Sequence, residues 1–537
     1  MLCVTGNERD TEALARRLEE VARRLSGVVD EWLCEVRLDC LASWDEGIFG
    51  LLSRYRDRCL VCCRPVRQGG FFDGAEAQRL ALLERVEAAQ VAYLDVEADV
   101  PAAFLDRRAR ERSALLLSWH DFQGIPADLP GLLARMRGHR PDVLKLAVTV
   151  QDAAELVLLR VFADRIPEPH VLIAMGEAGR MSRIRYPLFG SRWTYVAAFA
   201  DGLTAPGQLL FDEALAMGLP QTARQPFFAL VGGAQIGFSP GPRVYNRYFR
   251  ARGLPYSYFG VITQQPEAAF ALLQEAGALG VSVTMPHKRS ALSWSAPDAV
   301  AQQVGSANTL RFAGPAVIST NTDVAGVAEP LRRALAFEAR SPALNLGAGD
   351  GARSADPLRG ALGAQAGSPA CNLGEGDGAR AAERARRARS VQAGAAVLIL
   401  GAGGAARAAA VACRALDLCP VVSARSYARA QAELGPLAEV IPWEARAACP
   451  ARILVNATPL TGAAQSPWPD GAALEKDVVF DLALGEGRSR LLGQAEQEGA
   501  LAIHPLEMWL HQGAAQLGFF LGRAVTAEAL REYLPCR

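Results

Sequence analysis

Lysine is the residue type that most sharply marks candidate chemistry in this sequence. The 537 residues include 57 lysines and arginines, of which only Lys145, Lys288 and Lys476 are lysines. Arginine stays protonated, whereas a lysine amine can lose its proton, attack a carbonyl or relay a proton. Chemistry that arginine cannot perform would explain why lysine is kept, although three lysines could also remain by chance. We interpret Lys476, in LEKDVVF before a late strand, as surface charge.

Lys145 lies in the middle of DVLKLAV, where its predicted strand face also carries Val143, Ala147 and Thr149. Three other predicted strands carry polar groups on one face: Glu35, Arg37 and Asp39; Asp95 and Glu97; Ser118 and His120. Inward charges from four strands are too costly for a purely structural interior, so they indicate a site. Lys145 is a candidate for a Schiff base and His120 for a proton shuttle or a structural histidine, while Arg37, Arg64 and Arg183 could bind a carboxylate.

The elements that must position these groups are eight short apolar runs separated by amphipathic segments. The runs cover 2–5, 32–39, 60–64, 92–97, 114–120, 142–150, 170–175 and 195–200. Eight such units in about 220 residues predict a closed (β/α)₈ barrel with its site at the C-terminal ends of the strands. An open doubly wound sheet is the alternative.

A second candidate site follows in the other half of the chain. The motif GAGGAA, which contains Gly401, Ala402, Gly403, Gly404 and Ala405, joins a predicted strand to a helix and is typical of dinucleotide binding. The next strand ends at Arg425 and Ser426 rather than at an acid, which favours NADP over NAD. Upstream, Lys288 and Asp323 could protonate a ketone oxygen as hydride arrives, or could form an ordinary salt bridge.

The chain divides into five predicted segments. Residues 341–355 recur as 368–382, and the Gly/Ala/Arg-rich stretch around them is predicted to be a disordered insertion, with a two-repeat solenoid as the alternative. The predicted division is a barrel at 1–222, a substrate lobe at 226–340, the insertion at 341–394, a Rossmann-type lobe at 395–500 and C-terminal helices at 501–537 that return to the substrate lobe.

The composition limits which binding partners and which cellular compartment we expect. With 57 basic and 57 acidic residues the formal charge is zero, so no global field attracts nucleic acid or an anionic membrane. No apolar run is long enough to span a bilayer, and MLCVTGNERD does not resemble a targeting peptide, so we expect a soluble, cytoplasmic enzyme. The eleven cysteines are scattered, and Cys59, Cys62 and Cys63 lack partners at ligand spacing, so no metal is predicted.

The first 220 residues resemble type I 3-dehydroquinate dehydratase in the order and spacing of eight segments. These are EVRLD, CRPVRQGG, DVE, SWHDF, LKLA, MGEAGRMSR, FGSRWTYVA and APGQ. The resemblance implies that Lys145 forms an imine with the substrate ketone, that His120 removes the C2 proton and returns one to the departing hydroxyl, and that Glu97 orients His120. It implies substrate contacts from Glu35, Arg37, Arg64, Arg183, Ser191 and Gln208. Gln68 stands where the family usually has Glu, which predicts altered binding at most.

The second half resembles shikimate dehydrogenase through VTMPHK, GSANT, NTDVAG, GAGGAA, ARSYARA, VNATPL, FDLAL and EMWLHQGA. The resemblance implies a catalytic pair, Lys288 and Asp323. It implies substrate contacts from Ser239, Thr284, Asn308 and Gln512, and cofactor contacts from Arg425, Ser426, Arg429 and Thr458 beside the glycine motif. Departures from the family lie at Gln235, Phe238, Gly241, Ala424 and Leu484, and they leave the activity of this half open.

Together the resemblances imply a fusion that dehydrates 3-dehydroquinate to 3-dehydroshikimate and then reduces it with NADPH to shikimate. The alternatives are a dehydrogenase half that is impaired or acts on quinate, or one half kept as a non-catalytic scaffold. Oligomeric state is left open, a monomer included.

Overall fold

The computed structural model describes residues 1–107, 113–335, 383–384, 386–484 and 487–534. The chain forms two compact units, Met1–His287 and Lys288–Arg537. No helix among the described residues is long and apolar enough to cross a membrane. Of the predicted insertion, 341–382 and 385 lie outside the described residues, whereas 386–389 are helical.

Eight parallel strands in the first unit form a ring. They are β1 (Leu2–Thr5), β2 (Trp32–Arg37), β3 (Cys59–Cys62), β4 (Tyr93–Glu97), β5 (Ala114–Asp121), β6 (Val143–Thr149), β7 (His170–Met175) and β8 (Thr194–Ala197). β1 pairs with β2 and β8, the others pair in sequence order to β7, and a parallel bridge between His170 and Ser191 joins β7 to the segment before β8. The ring confirms the predicted barrel over the open sheet.

Helices cover the outside of the barrel: α1 (Thr11–Leu25), α2 (Glu46–Arg54), α3 (Glu76–Ala88), α4 (Ala102–Arg107), α5 (Leu129–Gly138), α6 (Glu155–Ala163), α7 (Arg180–Ile184) and α8 (Phe211–Ala216), the last after a short β9 (Leu209–Leu210). α1 shows why they form. Asp10 caps its first turn, and Leu14, Leu18, Val21 and Leu25 recur at helical spacing and are buried.

The predicted strand faces hold inside the barrel. Val143 and Ala147 of β6 pack with Cys3, Leu33 and Leu116 in one interior cluster. Lys145, on the same face, therefore has its amine inside the ring. β2 ends at Arg37, earlier than predicted, because Leu38–Cys40 turn into a short 3₁₀ helix that carries Asp39 back towards Arg37.

The first unit continues past the barrel into a parallel layer of β10 (Phe227–Gly232), α9 (Gly241–Ala251), β11 (Ser257–Ile262), α10 (Pro266–Glu275) and β12 (Ala278–Val283). β10 lies between the other two strands. Asp152, just after β6, accepts hydrogen bonds from Thr263 Oγ1 and Gln264 N, both at 2.6 Å. These bonds tie the barrel to the end of β11.

The second unit begins with α11 (Lys288–Ser293), β13 (Ala296–Pro297), α12 (Ala299–Val304), an antiparallel pair β14 (Thr309–Ala313) and β15 (Ala316–Thr320), and α13 (Asp323–Leu335). It ends with α17 (Pro505–Leu521) and α18 (Ala527–Arg531). A Cβ on Gly326 of α13 would lie 2.8 Å from the carbonyl oxygen of Met508, so this glycine permits α17 to pack closely on α13.

In the sequence between α13 and α17 lies a six-stranded parallel sheet in the order β18-β17-β16-β19-β20-β21. Its elements are β16 (Ala396–Leu400), α14 (Gly404–Ala415), β17 (Cys419–Ala424), α15 (Tyr427–Leu434), β18 (Glu439–Pro442), β19 (Ile453–Asn456), β20 (Val478–Asp481), α16 (Arg490–Gln497) and β21 (Leu501–Ile503). The strand order reverses at β16, where a doubly wound sheet has its ligand crevice. This is the predicted Rossmann-type lobe.

Candidate active sites

A buried amine lies at the centre of the barrel site. Lys145 Nζ is 2.9 Å from Asp95 Oδ2, 3.7 Å from Glu35 Oε1 and 4.3 Å from the centre of the Tyr195 ring. The side chain is only 5% exposed. Burial alone would raise the pKa of Asp95, but the charges of Lys145 and Arg64 hold that pKa well below its usual range. Asp95 is therefore the carboxylate counter-ion of the amine.

The sequence placed Asp95 on the same inward strand face as Glu97 but gave it no individual role in the site. What the sequence could not show is that this face of β4 lies opposite the amine of β6.

Three acidic or thiol groups come close enough together to suggest a metal site. Ligand atoms of Glu35, Cys62 and Asp95 lie within 4.8 Å of one another. Both carboxylates already face cations, because Lys145 lies beside Glu35 and Asp95 and Arg64 also pairs with Asp95. Burial, then the charge of Glu35, raises the pKa of Cys62, so its sulfur lies beside the paired carboxylates as a thiol. The cluster fits an amine site.

His120 meets Arg64 rather than Glu97. Arg64 Nη1 lies 3.0 Å from His120 Nδ1 and 3.3 Å from Glu97 Oε1, while Arg64 Nη2 donates to Asp95 Oδ2 at 2.9 Å. Glu97 also accepts from Arg79 at 2.6 Å. Among the described contacts Glu97 has none with His120, so any influence of Glu97 on the ring passes through Arg64.

Burial sets the protonation states of this pair. Burial, followed by the charges of Arg64 and Lys145, lowers the pKa of His120 well below its usual value. A guanidinium can only donate, so Nδ1 accepts and the neutral ring carries its proton on Nε2. Burial also raises the pKa of Glu97, against the opposing charges of Arg64 and Arg79. The neutral imidazole is the form that can act as a base.

One arginine of the cavity has no counter-ion. Arg183 is almost fully buried, its Nε has no hydrogen-bond partner, and its Nη2 reaches only the carbonyl of Pro206, at 3.5 Å. It forms no ion pair with any described carboxylate, and burial, then the charge of Arg180, lowers its pKa to about 10. By contrast, Arg37 is paired with Asp39 at 2.6 Å. An unpaired buried cation is costly, which indicates an anionic ligand.

Six of the sequence-predicted residues line one cavity with Lys145: Glu35, Arg37, Arg64, His120, Arg183 and Gln208. Gln68 also lines it, with Nε2 donating to Asp99 at 3.1 Å and Oε1 buried without a partner. Two predicted residues lie elsewhere. Glu97 is buried behind Arg64, and Ser191 bonds the backbone of Leu172 where the ring closes.

The second unit brings another lysine and carboxylate together. Lys288 Nζ, at the start of α11, lies 2.5 Å from Asp323 Oδ2, at the start of α13. Asn308 Nδ2 donates to Asp323 Oδ1 at 2.8 Å. Gln512 of α17 donates to Thr322 Oγ1 at 3.0 Å. Lys288 is 21% exposed, so the pair is accessible at one end, as an amine that delivers a proton to a ligand must be.

Ser239 and Thr284 belong to the first unit. Ser239 Oγ accepts from Gly241 N at 3.2 Å, and Thr284 follows β12 and bonds Val231 through its backbone. A Cβ on Gly241 would lie 3.2 Å from both Ser239 Oγ and a ring carbon of Tyr258. Gln235 donates to the carbonyl of Met285. The side chain of Phe238 lies outside the described residues.

The glycine turn after β16 fits a dinucleotide. Gly401 has φ +112°, and a Cβ there would lie 2.9 Å from the carbonyl oxygen of Ala457. A Cβ on Gly403 or Gly404 would meet nothing, so space remains open in front of α14, whose N-terminus favours phosphate. Thr458 is held by Asn456 at 2.7 Å, close to the turn in the neighbouring strand connection.

The segment that follows β17 carries exposed arginines. Arg425 and Ser426 follow β17 and are exposed, and Arg425 forms no ion pair with a described carboxylate. Arg429 instead reaches Glu433 at 3.0 Å, one turn later on α15. Ala424 is buried at the end of β17, and Leu484 is 55% exposed. These groups could hold a phosphate on the ribose.

The interpretation of Lys476 as surface charge was wrong. The residue is only 7% exposed, its amine donates to the carbonyl of Cys449 at 3.1 Å, and it lies 5.4 Å from the Trp468 ring centre. Burial lowers its pKa. Its hydrophobic neighbours enclose the stem of the side chain, which the local pattern LEKDVVF could not reveal.

A barrel with a buried amine, and a second unit that holds both a lysine–aspartate pair and a Rossmann-type lobe, define an α/β enzyme chain with two candidate centres. Residues 2–217 match the model of Type I 3-dehydroquinase, and residues 231–310 match that of the shikimate dehydrogenase substrate binding domain. A 3-dehydroquinate dehydratase of Syntrophobacter fumaroxidans is 33% identical over 220 residues, which cover 39% of this chain and 91% of that protein. The chain belongs to the type I 3-dehydroquinase family, and its second match is to a shikimate dehydrogenase substrate binding domain.

Both parts occur together in the name of one relative, the bifunctional 3-dehydroquinate dehydratase/shikimate dehydrogenase, chloroplastic, of Arabidopsis thaliana. It is 27% identical over 305 residues, which cover 55% of this chain and 51% of that protein. The chain thus spans about half the length of that relative. A solved structure of dehydroquinate dehydratase and shikimate dehydrogenase from S. pombe AroM aligns over 99% of this chain and 97% of its own, at 20% identity and a TM-score of 0.41.

Proposed function

We propose that this chain performs two consecutive reactions, dehydration of 3-dehydroquinate to 3-dehydroshikimate and NADPH-dependent reduction of that product to shikimate. The observation that carries the first reaction is the buried amine of Lys145 in a cavity with the unpaired Arg183. A ketone that also bears a carboxylate satisfies both groups. The observation that carries the second is the Lys288–Asp323 pair in a unit that also contains a dinucleotide turn.

In the dehydration, the amine of Lys145 attacks the ketone carbon, and loss of water leaves an iminium beside the Asp95 carboxylate. The iminium withdraws electrons and so acidifies the neighbouring C2–H. His120 takes the C2 proton and delivers a proton to the leaving hydroxyl, after which water releases the product and restores the amine. Arg183 binds the substrate carboxylate, and Glu35, Arg37 and Gln208 bind the ring hydroxyls.

This role of His120 requires a change of partners. In the free site Arg64 donates to Nδ1, which places the ring proton on Nε2. Proton removal needs an unprotonated ring nitrogen with a free lone pair, so Arg64 Nη1 must release Nδ1 when substrate arrives, while Glu97 and Asp95 keep the guanidinium in place. The substrate hydroxyls supply new acceptors for Arg64, which lines the same cavity.

In the reduction, bound NADPH supplies the hydride. Lys288 donates a proton to the ketone oxygen, and Asp323 holds the ammonium in place while Asn308 holds Asp323. Ser239, Thr284 and Gln512 are proposed substrate contacts. Gly401, Ala402, Gly403, Gly404, Ala405 and Thr458 are proposed for the dinucleotide, and Arg425, Ser426 and Arg429 for its ribose phosphate.

A coupled assay tests both reactions at once. The full chain with 3-dehydroquinate and NADPH should consume NADPH and form shikimate. Absorbance from 3-dehydroshikimate without NADPH loss would reject the reductase half only, and quinate with NADP⁺ would then test the quinate-directed alternative. Absence of both signals would reject the proposal. We further propose action in the cytoplasm, where the nine described cysteines, none in a disulfide, would stay reduced.

Arg183→Met should separate binding from stability. We expect KM for 3-dehydroquinate to rise about 10- to 100-fold, since a hydrogen-bonded charge pair contributes about 1.5–3 kcal/mol. Because the free protein buries this charge without a partner, the unfolding midpoint should not fall. Steady-state kinetics and thermal unfolding check the two effects. An unchanged KM would remove Arg183 from the substrate site.

The acid limb of the pH–rate profile for dehydration should lie below the pH range in which histidines usually titrate. Burial and the charges of Arg64 and Lys145 lower the pKa of His120, so the ring stays neutral as pH falls through about 6.5. Activity should decline only at lower pH, where the ring is protonated. The pH profile of kcat/KM, which reports the free enzyme, measures this. A decline centred near the ordinary value would contradict the buried, cation-flanked histidine.

A further inference from the structure

Arg79 is a fully buried arginine that lies outside the barrel cavity. It belongs to α3, and its side chain has no measurable exposure. It donates to Glu97 Oε2 at 2.6 Å, to the carbonyl of Cys63 at 2.9 Å, and to Glu76 at 2.7 and 2.9 Å. The described hydrogen bonds of the guanidinium therefore go to β4, to the residue that follows β3 and to its own helix.

The contacts of Arg79 lead to the active-site histidine in two further steps. Glu97 Oε1 accepts from Arg64 Nη1 at 3.3 Å, and the same nitrogen lies 3.0 Å from His120 Nδ1. We propose that Arg79 is a positioning residue of the dehydratase site, which acts through Glu97 and Arg64 on His120. The proposal rests on the dehydratase activity proposed above.

The reason is electrostatic. Glu97 is completely buried, and its two oxygens are divided between two guanidiniums, one oxygen for each. Without Arg79, one oxygen would be buried without a partner, which favours uptake of a proton or a turn of the carboxyl group. Proton uptake would leave Arg64 Nη1 only a neutral oxygen to bond, and a turn of the carboxyl group would withdraw Oε1. Either change weakens the contact that holds Nη1 between Glu97 and His120, while Nη2 stays on Asp95.

The charges around His120 determine the sign of the expected effect. Arg64, Lys145 and Arg37 lower its pKa and Asp95 raises it, while the neighbouring Phe122 ring is uncharged. Arg79 has no described contact with the imidazole. If loss of Arg79 lets Arg64 move away from His120 Nδ1, protonation of the imidazole costs less free energy. The acid limb of the rate profile then moves to higher pH.

The test compares Arg79→Gln, Arg79→Lys and the control Arg250→Gln in the full chain. Arg250 belongs to the same compact unit, binds the carbonyls of Leu254 and Tyr256, and has no described contact with the barrel cavity. We expect Arg79→Gln to lower kcat about tenfold or more, within the range of acid–base catalysis, and to move the acid limb of kcat/KM to higher pH. Lysine keeps the charge but cannot bond Glu97, the carbonyl of Cys63 and Glu76 together as arginine does. Arg79→Lys should therefore move the acid limb in the same direction by a smaller amount.

The control variant should show the wild-type pH profile whatever its stability. A wild-type profile for a folded Arg79→Gln would overturn the proposal, and so would an Arg79→Lys that fully restores the wild type, since charge alone would then suffice. If Arg79→Gln does not fold, Glu76→Gln replaces it. Glu76 holds Arg79 from the surface side, so its loss should move the limb in the same direction by less, and no shift would overturn the proposal. An inactive wild-type chain would instead reject the dehydratase function itself.

Discussion

Lys145→Ala is expected to reduce dehydration of 3-dehydroquinate by about a thousandfold or more, because it removes the only group that can form the imine in this cavity. The amine lies inside the ring against Asp95 and Glu35, and no other lysine is among the residues that line the cavity. The loss should appear in kcat. Formation of 3-dehydroshikimate, followed by absorbance, measures it.

Two further variants make this result specific. Lys145→Arg keeps a cation beside Asp95 but should be as inactive as alanine, since a guanidinium is a very poor nucleophile. Borohydride added with substrate should trap a covalent adduct on the wild type and on Lys476→Ala, but not on Lys145→Ala. Lys476 is also buried, so it tests whether any buried amine would react. An adduct located on Lys476, or activity in Lys145→Arg, would refute the imine mechanism.

The second large effect is expected from Lys288→Ala, which should lower the rate of NADPH oxidation with 3-dehydroshikimate by about 10²- to 10⁴-fold. The variant removes the proton donor that Asp323 holds at 2.5 Å. Asp323→Asn should give a comparable loss, because the neutral amide no longer fixes the ammonium. Initial rates at saturating NADPH, with cofactor binding measured separately, place the loss in the chemical step.

The two lysine variants control for each other. Lys288→Ala should retain wild-type dehydration, and Lys145→Ala should retain wild-type reduction of added 3-dehydroshikimate, because each amine belongs to a different site. If Lys288→Ala reduces 3-dehydroshikimate as fast as wild type, Lys288 is not the proton donor. If wild-type reduction is absent while NADPH still binds, the altered loop around Gly241 becomes the first place to seek the cause.

Local patterns in the sequence predicted the barrel strands well, and there is a physical reason. Along a barrel strand, residues that face the helices alternate with residues that face the interior, with a period of two. DVLKLAV therefore shows both the strand and the face on which Lys145 lies. The strand observed at Val143–Thr149 falls within the predicted 142–150. Glycine motifs are equally local, since the positive φ of Gly401 is a property of one turn.

Contacts between distant side chains could not be read in this way. The sequence resemblance paired Glu97 with His120, whereas the structure places Arg64 between them and Arg79 behind Glu97. Lys476 was taken for a surface residue from its place in LEKDVVF before a late strand, yet its neighbours in space are Cys449 and Trp468. In both cases the decisive partner lies on another element.

By itself, the sequence determined that the chain has a βα barrel followed by a dinucleotide-type lobe, and that a lysine stands at the candidate centre of each half. It could do so because strand alternation, helix periodicity, glycine turns and the choice of lysine over arginine are properties of one or a few neighbouring residues. Only the tertiary structure decided that Asp95 is the partner of Lys145, that Arg183 has no counter-ion among the described carboxylates, and that Arg64 separates Glu97 from His120. Protonation and partner choice depend on burial and on charges a few ångströms away, which are brought there by elements far apart in the chain.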